Sequence, residues 1–117
     1  QKGEAFVHGF TLALTSQCRF YRPISELDNQ NGYADVFLRP RCEIYKDMEH
    51  SYIIELKYLK SNASETEVKA ASKQAEAQLC RYADTVNVND NIGHTTLHKV
   101  YVVYSGVEMV ACNAILP

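Results

Sequence analysis

Apolar and polar residues recur along this chain with two different periods. Apolar residues have helical spacing over residues 3–16, where Phe6, Phe10 and Leu14 follow one another at intervals of four, and again over residues 61–86. Shorter segments rich in β-branched and aromatic residues lie between these two helices and after the second one. The pattern predicts a helix, three strands, a second helix and two strands, which is a mixed α/β sandwich with helices packed on a sheet.

The second predicted helix has the most complete set of signals. Ser64 and Glu67 form a capping box, in which each side chain accepts a hydrogen bond from the other residue's N–H group. The apolar side chains of this helix recur every three or four residues and would face the sheet. This apolar stripe consists of Val68, Ala71, Ala75, Leu79, Tyr82 and Val86.

The predicted strands are separated by turn residues. Pro23 confines the first strand to a sheet edge or a strand start, Asn31-Gly32 predicts a hairpin turn before the second, and residues 87–96 are predicted to be a loop. The five strands are expected at residues 18–26, 33–40, 51–60, 98–106 and 107–116.

The third predicted strand, SYIIELKYLK, contains a carboxylate and a lysine within an apolar run. Because side chains alternate between the two faces of a strand, Ile53, Glu55 and Lys57 share one face. The other face, which we expect to be the core side, consists of Tyr52, Ile54 and Leu56.

Composition narrows the class of protein without deciding its function. Of 117 residues, 46% are hydrophobic and 22% are charged, as in an ordinary globular protein, and we expect residues 1–117 to be a single domain within a longer chain. No apolar run approaches the ~20 residues that a membrane helix needs, so the predicted location is the cytoplasm. The net charge of -2 gives no overall basic surface of the kind that nucleic-acid binders often have, although a local basic face can be hidden in a neutral total.

The four cysteines are far apart in the sequence and include no CxxC pair. This spacing argues against a zinc site or a thioredoxin-like motif. We expect reduced thiols, as in a cytosolic protein, at Cys18, Cys42, Cys80 and Cys112.

Two of the predicted strands carry a single carboxylate among apolar residues, Asp35 in the second and Glu55 in the third. If these strands pair, the two carboxylates converge at one edge of the sheet. A divalent cation would relieve their repulsion, and Mg²⁺ prefers one or two carboxylates with several retained waters. Lys57 would then place an ammonium group where it could orient a nucleophile or stabilise charge on a phosphate.

The simpler alternative is a solvent-facing salt bridge between Glu55 and Lys57 on an ordinary amphipathic strand. On the E-x-K pattern alone this alternative is preferred, and an aspartate at a strand start is commonly a turn cap. The combination of Asp35, the I-I-E-x-K segment and the polar residues of the following helix favours a site.

These helix residues are Gln78 and Tyr82, which lie on one helical face, and Gln74 extends their row. Gln78 could hydrogen-bond a phosphate or an attacking water, with Tyr82 supporting it. Considered alone, Tyr82 belongs to the apolar stripe and Gln78 is a solvated neighbour, and that interpretation is preferred for the helix in isolation.

In their order, the segments GYADVFLRP, YIIELKYLK and AQLCRYA resemble the PD-(D/E)XK nuclease superfamily. The Q-x-x-x-Y pattern from Gln78 to Tyr82 is similar to its RecB-like branch. From Glu4 to about Gly106 the chain resembles a nuclease domain that follows an AAA-type ATPase-like region in bacterial proteins. The resemblance implies a restriction-endonuclease-like α/β fold with an αβββαβ core, in which helices flank a mixed central sheet. No Walker-type glycine-rich loop is present, so such an ATPase region would lie outside this chain.

The resemblance also implies roles for individual residues. Asp35 and Glu55 would be ligands of Mg²⁺ or Mn²⁺, and the Leu56 carbonyl would be a further ligand. Lys57 would be the catalytic lysine, assisted by the helical pair Gln78 and Tyr82.

The first predicted helix would contribute Glu4, which would complete the metal site, and His8, one turn later. The simpler interpretations are a favourable helix-dipole charge for Glu4 and a structural hydrogen bond for His8. The superfamily's name implies a proline before Asp35, where this chain has Ala34.

Basic residues that could contact phosphate are few, and charge runs on helices are usually solvated. Lys60 and Arg81 are the candidate phosphate-binding residues. The wider set of basic residues consists of Arg39, Arg41, Lys60, Lys69, Lys73 and Arg81.

Together with these residues, the resemblance implies a bacterial, magnesium-dependent deoxyribonuclease domain, a hydrolase that binds DNA and is compatible with a homo-oligomer. The alternative is a non-catalytic, nuclease-like module that binds nucleic acid or protein and is attached to an ATPase, since a fold does not by itself determine a function. The intact set of polar residues favours the enzyme, and the missing basic surface favours the module.

Overall fold

The computed structural model describes residues 19–25 and 35–115. In these residues one sheet has the strand order β1-β2-β3-β4-β5. Two helices, α1 (Glu65–Ala83) and α2 (Val86–Asn89), follow β3. The strands are β1 (Tyr21–Ser25), β2 (Val36–Pro40), β3 (His50–Leu59), β4 (Thr96–Ser105) and β5 (Glu108–Ile115).

The predicted order of three strands, a helix and two strands is confirmed, with element ends that differ by a few residues. The short helix α2 was missed, because its sequence VNVN has no helical period; its first residue, Val86, ended the predicted helix and the other three lie in the predicted loop. The predicted helix at residues 3–16 and the predicted turn at Asn31-Gly32 lie outside the described residues. None of the helices in the described ranges combines the length and apolar character of a membrane span.

The sheet is mixed because β3 and β4 are parallel, whereas every other neighbouring pair is antiparallel. Parallel neighbours need a long crossover connection, and α1 with α2 provides it. β1 lies at the sheet edge, as Pro23 predicted, with Pro23 opposite Leu38 of β2.

The larger hydrophobic core lies between α1 and the face of β3 that carries Ile53. Four residues of the predicted apolar stripe of α1 are buried there, and Val68 packs against them. The expectation that the opposite face of β3 would be the core side is therefore wrong, although Leu56 is buried in a smaller cluster on that face. The buried stripe residues are Ala71, Ala75, Leu79 and Tyr82.

The start of α1 is attached to the ends of the two central strands. The Ser105 hydroxyl accepts a hydrogen bond from the Ala63 N–H at 3.0 Å and donates to the Lys60 carbonyl at 2.8 Å. The Gly106 N–H donates to the Leu59 carbonyl at 2.8 Å. Gly106 has a φ of 63°, which favours glycine. These contacts set where α1 begins over the sheet, and hence where its polar residues lie.

The capping box predicted at the start of α1 is present. The Ser64 N–H donates to Glu67 Oε1 at 3.0 Å, and the Glu67 N–H donates to Ser64 Oγ at 3.1 Å. The bond from the Ser64 N–H is the main reason why the pKa of Glu67 is lowered.

We expect Ser64→Ala to lower the free energy of unfolding by about 1 kcal/mol, because the cap oxygen is lost. Ser64→Asp, which keeps an acceptor at the cap, is the matched control and should retain most of the stability. Urea denaturation of both variants measures this. Equal stability of Ser64→Ala and the wild type would contradict a stabilising role for the cap.

Candidate active site

The pairing of β2 with β3 brings the two predicted carboxylates together. The last pair of this antiparallel ladder is Val36 with Ile54. The next residue on each strand is Asp35 and Glu55, so these two residues are opposed. The strand pairing on which the sequence-based prediction of convergence depended is therefore confirmed.

A backbone hydrogen bond fixes the position of Asp35. The Leu56 N–H donates to Asp35 Oδ2 at 2.8 Å, just beyond the last backbone pair between the two strands. In an antiparallel ladder the N–H and C=O of one residue point to the same neighbouring strand. The Leu56 carbonyl is therefore on the Asp35 side of β3, as its predicted role requires.

Glu55 is buried, with 4% of its surface exposed. Its Oε2 atom lies 3.4 Å from Lys57 Nζ, and the Lys57 side chain is 22% exposed. Its Oε1 atom is buried and has no hydrogen-bond partner among the described residues. The Glu55–Lys57 ion pair exists, but its carboxylate is enclosed, so the alternative of a solvent-facing salt bridge is wrong.

The burial of Glu55 follows from its place in the sheet. β3 is a central strand, and Glu55 lies opposite Tyr101 of the parallel strand β4. Glu55 shares a face with Ile53, which belongs to the core beneath α1. A carboxylate at this position has little access to water.

Burial raises the pKa of Glu55 from 4.5 to about 7. The negative charge of Asp35 adds to the shift, and the charge of Lys57 and its hydrogen bond oppose it without cancelling it. The surroundings of Glu55 therefore disfavour its ionised form beside the Asp35 carboxylate, and a cation bound between them would relieve this repulsion.

The two predicted helix residues differ in their surroundings. Tyr82 is buried in the core, as the simpler interpretation held. Gln78 is half-buried, and its Oε1 atom is buried without a hydrogen-bond partner among the described residues. Gln78 is therefore not the solvated neighbour that the simpler interpretation assumed.

The rotation of α1 indicates which way Gln78 is turned. Val68 and Ser72 line a hollow together with Tyr101 of β4, so this flank of α1 faces β4. Gln74 and Gln78 lie on the opposite flank of the helix, since residues advance by about 100° each. The Gln row is therefore turned towards the β2 side of the sheet, where Asp35 lies.

The other predicted site residues lie elsewhere or outside the described part of the chain. Glu4 and His8 fall in residues that the structure does not describe. Lys60 and Arg81 are exposed, Lys60 after the end of β3 and Arg81 near the end of α1. Within residues 19–25 and 35–115, no group of three or more His, Cys, Asp or Glu side chains could hold a metal ion.

Two features of this site were not recognised in the sequence. One is the Leu56 N–H, which holds Asp35. The other is Tyr101, which lies opposite Glu55 and helps to enclose it. The second had a weak signal, because HKVYVVYS is apolar enough to be a central strand beside β3.

A family model described as the PD-(D/E)XK nuclease superfamily matches residues 2–114. The chain belongs to this superfamily. Its members are generally nucleases, which act on nucleic acids, and they usually use divalent metals such as Mg²⁺. Among curated proteins and among solved structures, no match to the chain was found. The RecB-like branch and the upstream ATPase region stay predictions.

The donor set fits the kind of metal that this superfamily uses. Two opposed carboxylates and a backbone carbonyl are hard oxygen ligands, as Mg²⁺ prefers. The buried Oε1 atom of Glu55, which has no hydrogen-bond partner among the described residues, is the most direct sign that a ligand belongs here. The cysteines described do not compete for the metal, since Cys80 and Cys112 are exposed free thiols and Cys42 is a half-buried one.

The raised pKa of Glu55 predicts how stability depends on pH in metal-free buffer. Between pH 4.5 and about 7 the folded state binds more protons than the unfolded state, so the free energy of unfolding falls as pH rises. The full shift corresponds to roughly 3 kcal/mol, at about 1.4 kcal/mol per pKa unit.

Glu55→Gln removes this ionisation and is the matched variant. We expect it to be more stable than the wild type at pH 8 in EDTA, with the advantage shrinking by pH 5. Urea denaturation of both proteins at several pH values measures the difference between their free energies of unfolding. Contributions from other titrating groups cancel in this difference. A difference that does not vary with pH would contradict the raised pKa.

Proposed function

We propose that this chain is a Mg²⁺-dependent deoxyribonuclease domain that hydrolyses phosphodiester bonds at Asp35, Glu55 and Lys57. The observation that carries the proposal is the enclosed Glu55 carboxylate opposite Asp35. Among the described residues, two carboxylates and one ammonium group come together in a poorly solvated place. Such an arrangement lowers the stability of the folded protein, and it is typical of a site that binds a cation.

In this proposal Asp35, Glu55 and the Leu56 carbonyl hold the cation. When bound, the cation would supply Lewis-acid activation of water and neutralise charge on the scissile phosphate. The Leu56 N–H holds the Asp35 carboxylate in place, so this ligand does not have to be ordered at the moment of binding.

Lys57 would act on the substrate through its charge. Its Nζ atom already lies 3.4 Å from Glu55, and its side chain remains partly exposed. An ammonium group that is fixed at the rim of the site can approach a phosphate oxygen and stabilise the negative charge that develops there. Hydrolysis forms one P–O bond to water and breaks one P–O bond of the chain, giving a phosphate end and a hydroxyl end.

Gln78 would orient the attacking water or a phosphate oxygen. Support comes from its buried Oε1 atom, which has no hydrogen-bond partner among the described residues, and from the flank of α1 on which it lies. Tyr82 is buried beside it and would support the helix position of Gln78 rather than contact the substrate.

We expect the purified chain to cleave labelled DNA in Mg²⁺ or Mn²⁺ and to lose this activity in EDTA. Lys57→Ala should lower the rate about 10²–10³-fold, because a group that stabilises the transition state is lost. Lys46→Ala, at an exposed loop residue, is the control for removal of one positive charge. Single-stranded, duplex and branched DNA, with RNA of matched sequence, define the substrate in gel assays. Cleavage that survives Lys57→Ala would contradict the assigned site.

A second experiment separates the enzyme from a nuclease-like module without activity, which the net charge of -2 favours. We expect Mn²⁺ to raise the melting temperature of the wild type. At a hundredfold excess over its Kd, binding to the folded state would raise the free energy of unfolding by about 2.7 kcal/mol.

Asp35→Asn should lose most of this stabilisation, because it removes a ligand charge. It keeps an oxygen that can accept the Leu56 N–H, so the variant should still fold. Differential scanning fluorimetry with and without Mn²⁺ measures the shift. Equal shifts in the wild type and in Asp35→Asn would count against metal binding here, and no shift in either would favour the module.

A further inference from the structure

Four arginines gather around one hollow at the β1 edge of the sheet. The hollow has a volume of about 380 Å³ and is lined by Arg19, Arg22, Arg39 and Arg41, with Glu43 as the acidic residue among its lining. The chain has 12 lysines and arginines in total. A third of the positive side chains thus share one small region of a protein whose net charge is negative.

Two of these arginines are placed directly against each other. Arg22 on β1 is the register partner of Arg39 on β2. Like charges that lie directly opposite on neighbouring strands destabilise a sheet. The pairing therefore carries an electrostatic cost, which Glu43 offsets in part through its ion pair with Arg39 and which a bound anion would offset further.

The protein holds two of the guanidinium groups and leaves two available. Arg39 Nε donates to Asn91 Oδ1 at 3.0 Å, and its Nη1 atom lies 3.6 Å from Glu43. Arg41 donates to the Arg19 carbonyl at 3.2 Å. The exposed side chains of Arg19 and Arg22 make no hydrogen bond or ion pair with any described residue.

The chemistry of the cluster fits a phosphodiester backbone. Guanidinium groups form bidentate hydrogen bonds with phosphate oxygens. An open hollow spanned by charges on two strands and the adjoining loops suits a polymer with repeated phosphates better than a small anion, which an enclosed pocket would hold.

One member of the cluster, Arg39, lies on β2, the strand that starts beside the candidate active site. Asp35 precedes β2, and Arg39 is near its other end, about 13 Å away at ~3.3 Å per residue. One strand of a B-form duplex advances 3.4 Å per nucleotide, so this separation spans roughly four nucleotides.

We propose that the arginine cluster, Arg19, Arg22, Arg39 and Arg41, binds the phosphate backbone of the nucleic-acid substrate a few nucleotides from the bond that is cut. This inference rests on the proposed function for the identity of the polymer. It assigns the cluster to binding and not to the chemical step.

The test measures DNA binding separately from cleavage. Fluorescence anisotropy of a labelled 30-nucleotide DNA, single-stranded and duplex, is recorded in EDTA at several salt concentrations. The variant Arg19→Gln/Arg22→Gln should bind at least tenfold more weakly at low salt. The slope of log affinity against log salt should become shallower by about 1.5, at 0.7–0.9 per lost phosphate contact.

Matched variants control for charge and for folding. Lys46→Gln/Lys99→Gln removes the same charge from positions that do not line this hollow and should weaken binding less than threefold. Arg22→Lys keeps the charge at β1 but loses the bidentate geometry, so its affinity should fall between those of the wild type and Arg19→Gln/Arg22→Gln. Melting temperatures of all variants establish that they are folded.

The proposal is overturned if Arg19→Gln/Arg22→Gln binds like the wild type, if Lys46→Gln/Lys99→Gln loses as much affinity, or if the wild type does not bind DNA. The proposed activity can fail separately. Binding that depends on the arginines without any cleavage in Mn²⁺ would remove the nuclease and keep the cluster. Cleavage with an unchanged KM in Arg19→Gln/Arg22→Gln would keep the nuclease and rule out a binding role for the arginine cluster.

Discussion

The hydrogen bond from the Leu56 N–H to Asp35 lies where the β2–β3 ladder ends. In a continued ladder this N–H would bond to backbone, and here a side-chain carboxylate takes it. The bond satisfies a donor on a central strand, and it holds Asp35 opposite Glu55. It also keeps the Leu56 carbonyl at the same edge of β3. The geometry of the site thus depends on the place where two strands stop pairing.

The electrostatics of the molecule are divided between two regions. The site concentrates negative charge around the enclosed Glu55, where burial makes ionisation unfavourable. The β1 edge concentrates positive charge, with Arg22 directly opposite Arg39. In the function proposed above, the first region would meet the cations of a nucleic acid and the second its phosphates. A total charge near zero hides both, which is why composition alone argued against nucleic acid.

The order of the described elements and the cap at Ser64 could be predicted from sequence, because helical and strand periods and a capping box are local signals. The pairing of Asp35 with Glu55 was predicted because strands close in sequence usually pair. The prediction of which face of β3 is the core side was wrong. A central strand is apolar on both faces, so the alternation of side chains does not indicate which face a helix covers. Arg39 and Arg41 were recognised in the sequence as possible phosphate contacts, but their clustering with Arg19 and Arg22 could not be predicted, because it depends on the register between β1 and β2.

The parallel pairing of β3 with β4 has a consequence for how this protein is made. β3 carries Glu55 and Lys57, and ten register pairs join it to β4, which starts only at Thr96. Such non-local contacts form slowly, because a long loop must close first. During synthesis on a ribosome, β3 would lack this neighbour until β4, which ends at Ser105, had emerged. A nascent chain that stops within α1 would contain β2 and β3 with both carboxylates, but it would lack Tyr101, which lies opposite Glu55 and helps to enclose it.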